Sequence, residues 1–236
     1  MTWKQLFISS VGKKAVMGLT GISLVAFLLV HAGLNACIWA NDNGEMFNKA
    51  AHFMGSTVVT RTLEIGLFVG IILHIVQGYM LAAANKAKRS IGYNVQLGNR
   101  GSKWYSRSMA LLGSIILIFL AVHMSDFFIP SRITHAGLET PVTYGTSDIQ
   151  YHNMYALMAA KFTDNILAVI IYTVGCIALA YHLFHGFQSA FRSLGVHNKK
   201  YNQLLTSFGY GYTIVIILAF IMMPLSFYFG WLTVQL

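Results

Sequence analysis

Five apolar runs constrain this chain more than any other feature, because each is long enough to cross a bilayer. They read as about 16–39, 60–84, 108–130, 163–190 and 206–233. A helical span needs roughly 20 predominantly apolar residues. Backbone amides inside hydrocarbon must find partners within the protein, which leaves only helices or closed barrels. Barrel strands alternate over segments of about 10 residues, and these runs do not. Together they occupy over half of the 236 residues. The expected fold class is therefore an all-α membrane protein: one domain, 1–236, with five transmembrane helices and no separate soluble domain. Charged residues make up 10% of the chain, against about 25% in a soluble domain.

The net charge of +9 invites a nucleic-acid reading, but its distribution argues against one. Twelve of the sixteen basic residues fall on one side of a five-span arrangement. Lys4, Lys13 and Lys14 precede the first run. Lys86, Lys88, Arg89, Arg100, Lys103 and Arg107 lie between the second and third, and Arg192, Lys199 and Lys200 follow the fourth. No acidic residue falls on that side. Basic loops mark the cytoplasmic face, so the N-terminus is expected inside and the C-terminus outside, with the basic loops also suited to anionic lipid. The N-terminal apolar stretch is too long for a cleavable signal peptide and runs on into the first span.

Local punctuation refines the picture. Gly66 and Gly70 have the small-xxx-small spacing that lets helices approach. Pro130 is expected to end the third span, and Pro224 to kink or shorten the fifth. Trp104 and Tyr105 suit a membrane interface. In the external connection of about 131–162, "QYHNMYALMAAKF" reads as a helix lying on the membrane surface. Cys37 and Cys176 sit in different spans and read as small buried hydrophobes. No C-x-x-C-H is present for covalent haem attachment. Spans one–two and three–four form two hairpins, each helix carrying a histidine.

Five of the nine histidines fall inside the spans: His31, His74, His123, His182 and His185. An ionisable side chain there is costly and points to function, although a single one also serves as interhelical glue. At about 1.5 Å per residue, His31 and His123 should both sit roughly 22 Å from the inner surface. His74 and His182 should sit roughly 12–15 Å from it. The four thus fall into two pairs at two depths. A b haem takes one imidazole from each face and fills the space between helices with its apolar macrocycle. Zinc wants a third or fourth donor close by, and a proton relay does not require paired depths.

On "FLLVHAGLN", "LHIVQGYMLAAANKAKR", "VHMSDFFIP" and "YHLFHGFQSAFRSLG", in that order over five spans, the chain resembles the five-helix di-haem cytochrome b subunit of succinate dehydrogenase and fumarate reductase, the membrane anchor of complex II. The resemblance implies a haem-binding four-helix bundle plus a fifth helix, in the bacterial cytoplasmic (inner) membrane. It implies two b haems, an outer one held by His31 and His123 and an inner one by His74 and His182. The fourth ligand falls in an H-x-x-x-G pattern, His182 to Gly186, with His185 as its alternative. A glycine four residues on shares the ligand's helical face, where a side chain would crowd the porphyrin.

The resemblance also implies partners. A flavoprotein subunit carrying FAD and an iron–sulfur subunit would dock on the cytoplasmic face, and electrons from succinate would pass through the two haems to a membrane quinone, with menaquinone expected. Quinone candidates near the outer side are His52, Glu64 and Asp126. Arg61 stands three residues before Glu64, so an interfacial ion pair competes with that role. Propionate candidates are Arg192, Lys86 and Lys88. Some fumarate reductases place an acid two residues before the span-four ligand; here that position is Ala180, which favours succinate oxidation over quinol:fumarate reduction. The rival readings are the cytochrome b subunit of a hydrogenase or formate dehydrogenase and, in a different class, a haem-free transporter.

Overall fold

The computed structural model describes residues 9–87, 103–146, 148–196 and 198–232. Among them, five helices are long and apolar enough to cross a membrane. They are α1 (Ser10–Ala36), α3 (Val58–Ala87), α4 (Met109–His123, extended by the wide turns Met124–Phe128 and Pro130–Thr134), α6 (Ile166–Ser193) and α7 (Lys199–Tyr228). Two shorter helices lie between them, α2 (Glu45–Ser56) and α5 (Met154–Phe162). The described residues form no strand beyond a single antiparallel bridge, Val142 with Tyr151.

Helix ends follow local chemistry more closely than hydropathy. The side chain of Ser9 accepts from the Gly12 amide at 3.0 Å and starts α1. Asn165 and Asn153 cap α6 and α5 in the same way, through the amides of Ala168 and Ala156. The fifth helix begins at Lys199, earlier than the apolar run implies, with Asn198 accepting from the Lys200 amide. Polar residues here are helical without being membrane-like. It ends at Tyr228 rather than near 233, since Gly230 turns left-handed at φ 70° and its amide bonds back to Phe227. Pro224 leaves this helix running for one further turn.

Two expectations fail outright. Pro130 does not end the third span; helical backbone continues to Thr134. The turn before it is π-helical, with the Ile129 amide reaching Met124. Widening moves carbonyls away from the proline ring that would collide with them in a regular helix. Nor do Gly66 and Gly70 bring helices together, because nothing lies within 4 Å of where their Cβ atoms would be. Close approaches between long helices occur at other glycines, among them Gly175, where a methyl would collide with the Phe119 ring, Gly209, where it would lie 2.7 Å from Phe187, and Gly18, where it would lie 3.0 Å from the Ala190 carbonyl.

The chain divides into two compact units, and each of the five long helices gives one segment to each. One unit comprises Met1–Phe27, Gly66–Ser114 and Ala178–Ile214. Within it, the Tyr212 hydroxyl donates to the Val25 carbonyl at 2.6 Å and ties α7 to α1. Lys103 donates to Tyr210 at 2.9 Å, beside Tyr105.

The other unit comprises Leu28–Ile65, Ile115–Ile177 and Val215–Leu236. Its core gathers Ile38, Phe47, Tyr155, Phe162, Tyr172 and Phe227. Phe47 and Tyr155 come from α2 and α5, so these short helices are folded into the unit. Asn48, fully buried, joins them: its amide donates to Tyr144 and Asn153, and its carbonyl oxygen accepts from the Tyr155 amide. Helix α2 has no counterpart in the sequence reading, which treats this stretch as a connection. Cys176 is buried and Cys37 partly so, and both are free thiols.

Candidate functional site: two histidine pairs

Apart from His135 and His152, which stack with centroids 5.0 Å apart in the second unit beyond the long helices, each unit holds one pair of imidazoles. In the first, His74 on α3 and His182 on α6 have ring centroids 6.1 Å apart at 65°. In the second, His31 on α1 and His123 at the end of α4 have centroids 5.8 Å apart at 89°. The structure thus puts His31 beside His123 and His74 beside His182. His185 makes no ring contact with His74 among the described residues.

Glycines surround the first pair. A Cβ at Gly21 on α1 would lie 3.7 Å from His74 Cε1. One at Gly113 on α4 would lie 3.9 Å from His182 Cε1, and one at Gly186 on α6 would lie 3.9 Å from His182 Cδ2. Gly70, one turn before His74, has open space around it. Three helices, α1, α4 and α6, therefore place a glycine next to these two rings. Gly186 is legible in the sequence beside its histidine; Gly21 and Gly113 are not, because only packing brings them to a ring on another helix.

The outer ring nitrogens divide unequally. His74 Nδ1 lies 3.2 Å from the Thr20 hydroxyl, and His31 Nδ1 lies 3.4 Å from the Asn35 amide nitrogen. The Nδ1 atoms of His123 and His182 are buried without a hydrogen-bond partner. A buried polar atom in that state calls for a reason.

Around His123 the packing is aromatic. Phe127, Phe119 and Tyr172 have ring centroids 5.5, 5.9 and 5.9 Å from it. Tyr172 also donates its hydroxyl to Asp126 at 2.8 Å, and Lys161 donates to the other carboxylate oxygen at 2.6 Å. Asp126, three residues after His123, is thereby engaged at both oxygens.

The remaining candidates lie in separate contact sets. Glu64 pairs with Arg61 at 2.8 Å and with Arg132 at 3.4 Å. His52 is exposed and packs edge-on against Tyr151 with centroids 5.0 Å apart. Arg192 and Lys86 are exposed near the ends of α6 and α3, and Lys88 lies outside the described residues.

The pairs fit a group that carries its own equatorial donors. First-row metal–imidazole bonds run about 2.0–2.1 Å. With the ring centre about 1.2 Å behind the nitrogen, two trans imidazoles have centroids roughly 6.4 Å apart. Both observed separations come within roughly 0.6 Å of that span. Among the described residues, no cluster of three or more histidine, cysteine or carboxylate side chains could hold a bare metal ion. Such a pair of imidazoles would suit a porphyrin, which supplies four nitrogens itself, and glycines lie beside His74 and His182. Comparison with known protein-family models, with curated proteins and with solved structures finds no match.

Proposed function

We propose that this chain is the di-haem cytochrome b membrane anchor of a succinate:quinone oxidoreductase, carrying electrons from an iron–sulfur subunit to a membrane quinone. The observation that carries the reading is the pair of imidazole pairs. Two sets of opposed histidines, 6.1 and 5.8 Å apart at their centroids, come from four helices long and apolar enough to span a membrane. Held by two imidazoles, a b haem would supply one-electron transfer rather than oxygen chemistry.

The chain's own residues have distinct tasks. His74 and His182 would grip one group, and His31 and His123 the other. Gly21, Gly113 and Gly186 leave room beside the first pair. Phe119, Phe127 and Tyr172 surround His123 with apolar ring surface, which limits water at that pair. The basic stretches between and after the spans suit a cytoplasmic face on which flavoprotein and iron–sulfur subunits dock. The complex II assignment rests on the order of the four sequence fragments; the histidine geometry supports the haem reading.

The test is purification of the intact complex from membranes. A reduced-minus-oxidised spectrum with a b-type band, about two haems per chain, and co-purifying flavoprotein and iron–sulfur subunits are expected. A colourless chain removes the haem reading and leaves a transporter. Haem with hydrogenase or formate dehydrogenase subunits removes the complex II assignment alone.

A further inference from the structure

Thr20 is a buried polar residue on α1, one turn past Val16. Its hydroxyl lies 2.8 Å from the Val16 carbonyl and 3.3 Å from the Met17 carbonyl. The same oxygen lies 3.2 Å from His74 Nδ1. A threonine hydroxyl has one proton to give and two lone pairs to receive with. A carbonyl has no proton to give, so the short contact to Val16 consumes the hydroxyl proton. Toward His74 the oxygen can then only accept, and Nδ1 must carry the hydrogen. Neutral imidazole has one N–H and one lone pair, so the lone pair of His74 falls on Nε2.

We infer that Thr20 is a positioning residue: it fixes His74 as the Nδ1–H tautomer and orients its ring so that Nε2 is presented as a metal ligand before any cofactor arrives. Gly21, the next residue, lets α1 lie against the same ring, with its Cβ position 3.7 Å from His74 Cε1. Two adjacent positions on α1 thus lie against the ring, and Thr20 is the one that bonds to it. The inference rests on the haem reading above and adds a role to a residue outside the ligand set. His182, the opposing ring, has no such support, since its Nδ1 is buried and unpartnered. The inner pair is therefore asymmetric, with one imidazole preset and one held only by packing. A partner at the outer ring nitrogen raises ligand basicity, and its loss typically costs 10–100-fold in metal affinity.

The experiment compares the full chain with Thr20→Val, which keeps the shape and removes the acceptor, and Thr20→Ser, which restores it. Histidine ¹⁵N spectra of the haem-free chain, with His74 assigned from a His74→Gln sample, should show Nδ1–H in the wild type and in Thr20→Ser. Thr20→Val should show mixed tautomers. In haem titrations, Thr20→Val should bind the His74–His182 haem roughly 10–100-fold more weakly, at a higher midpoint potential, with Thr20→Ser near wild type. A wild-type His74 protonated at Nε2, or a Thr20→Val chain with unchanged affinity and potential, overturns the inference. An Nδ1–H His74 in a chain that takes up no haem upholds the hydrogen bond and overturns the haem reading beneath it.

Discussion

His74 on α3 and His182 on α6 meet edge-on with ring centroids 6.1 Å apart, while His185, one turn further along α6, has no ring contact with His74 among the described residues. The two α6 histidines should therefore behave differently. His182→Ala is expected to lose one haem of about two and keep the other, and His123→Ala to lose the opposite one. His185→Ala is expected to keep both. Haem per chain by pyridine haemochrome, with spectra separating the two centres, checks this; halving by His185→Ala instead of His182→Ala would reverse the axial assignment.

Gly113 supplies a steric test that leaves every ligand in place. A Cβ there sits 3.9 Å from His182 Cε1, and the further atoms of a leucine would extend into the space beside that ring. Gly113→Leu is expected to displace the haem of the His74–His182 pair and spare the other. Haem stoichiometry near one, with the chain still correctly sized by gel filtration, is the outcome to look for. Full occupancy would mean that the porphyrin lies elsewhere.

Asp126 links α4 to α5 and α6 through Lys161 at 2.6 Å and Tyr172 at 2.8 Å. Asp126→Asn keeps the shape and removes the charge, leaving the ammonium of the part-buried Lys161 without its counter-charge. We expect a loss of about 1–3 kcal/mol, read as a lower melting temperature in detergent. Adding Lys161→Met should recover part of that loss, since removing both partners avoids a stranded charge. Additive losses would show that the pair is not coupled.

Phe162, at 1% exposure, is among the most buried side chains of its unit. It packs against Tyr172 with ring centroids 4.9 Å apart and against Phe127 at 6.0 Å. Phe162→Ala should cost about 3–5 kcal/mol. Because Tyr172 and Phe127 also flank His123, loosening is expected to reach that histidine pair first. The His123 haem should dissociate at a lower denaturant concentration than its counterpart; simultaneous loss would argue for one cooperative block.

Lys103 gives a pH signature at the alkaline end. Its hydrogen bonds to Tyr210 and then Tyr105 hold the ammonium above the usual lysine range. A raised folded-state pKa means the contribution is complete below the ordinary lysine pKa. It is lost as pH rises through the raised one. The melting temperatures of wild type and Lys103→Gln should therefore differ by a constant amount at neutral pH and converge only well above pH 10. Convergence near neutrality would contradict the hydrogen-bonded ammonium. Lys103 is solvent-exposed, so the difference should be small and salt-sensitive.

Much of the architecture was legible without coordinates, because a bilayer imposes its thickness on any helix that crosses it. Length and apolarity alone mark the five spans, and counting residues along each places His31 level with His123 and His74 level with His182. The structure makes those same two contacts. The local readings that failed concern features whose effect depends on neighbours. Pro130 reads as a stop, yet a π-helical turn accommodates it. Gly66 and Gly70 read as a contact motif, yet the helices meet at Gly175 and Gly209.

The sequence by itself determined the number of helices long and apolar enough to cross a membrane and how far along each one its histidine falls, since rise per residue is a property of the helix and needs no partner. Only the tertiary structure decided that the Thr20 hydroxyl lies against His74 Nδ1, which glycines lie by the His74 and His182 rings, and that Asp126 is already engaged by Lys161 and Tyr172. Those facts depend on how neighbouring helices are rotated about their axes. Rotation is set by side-chain packing between residues far apart in the chain, and no local pattern records it.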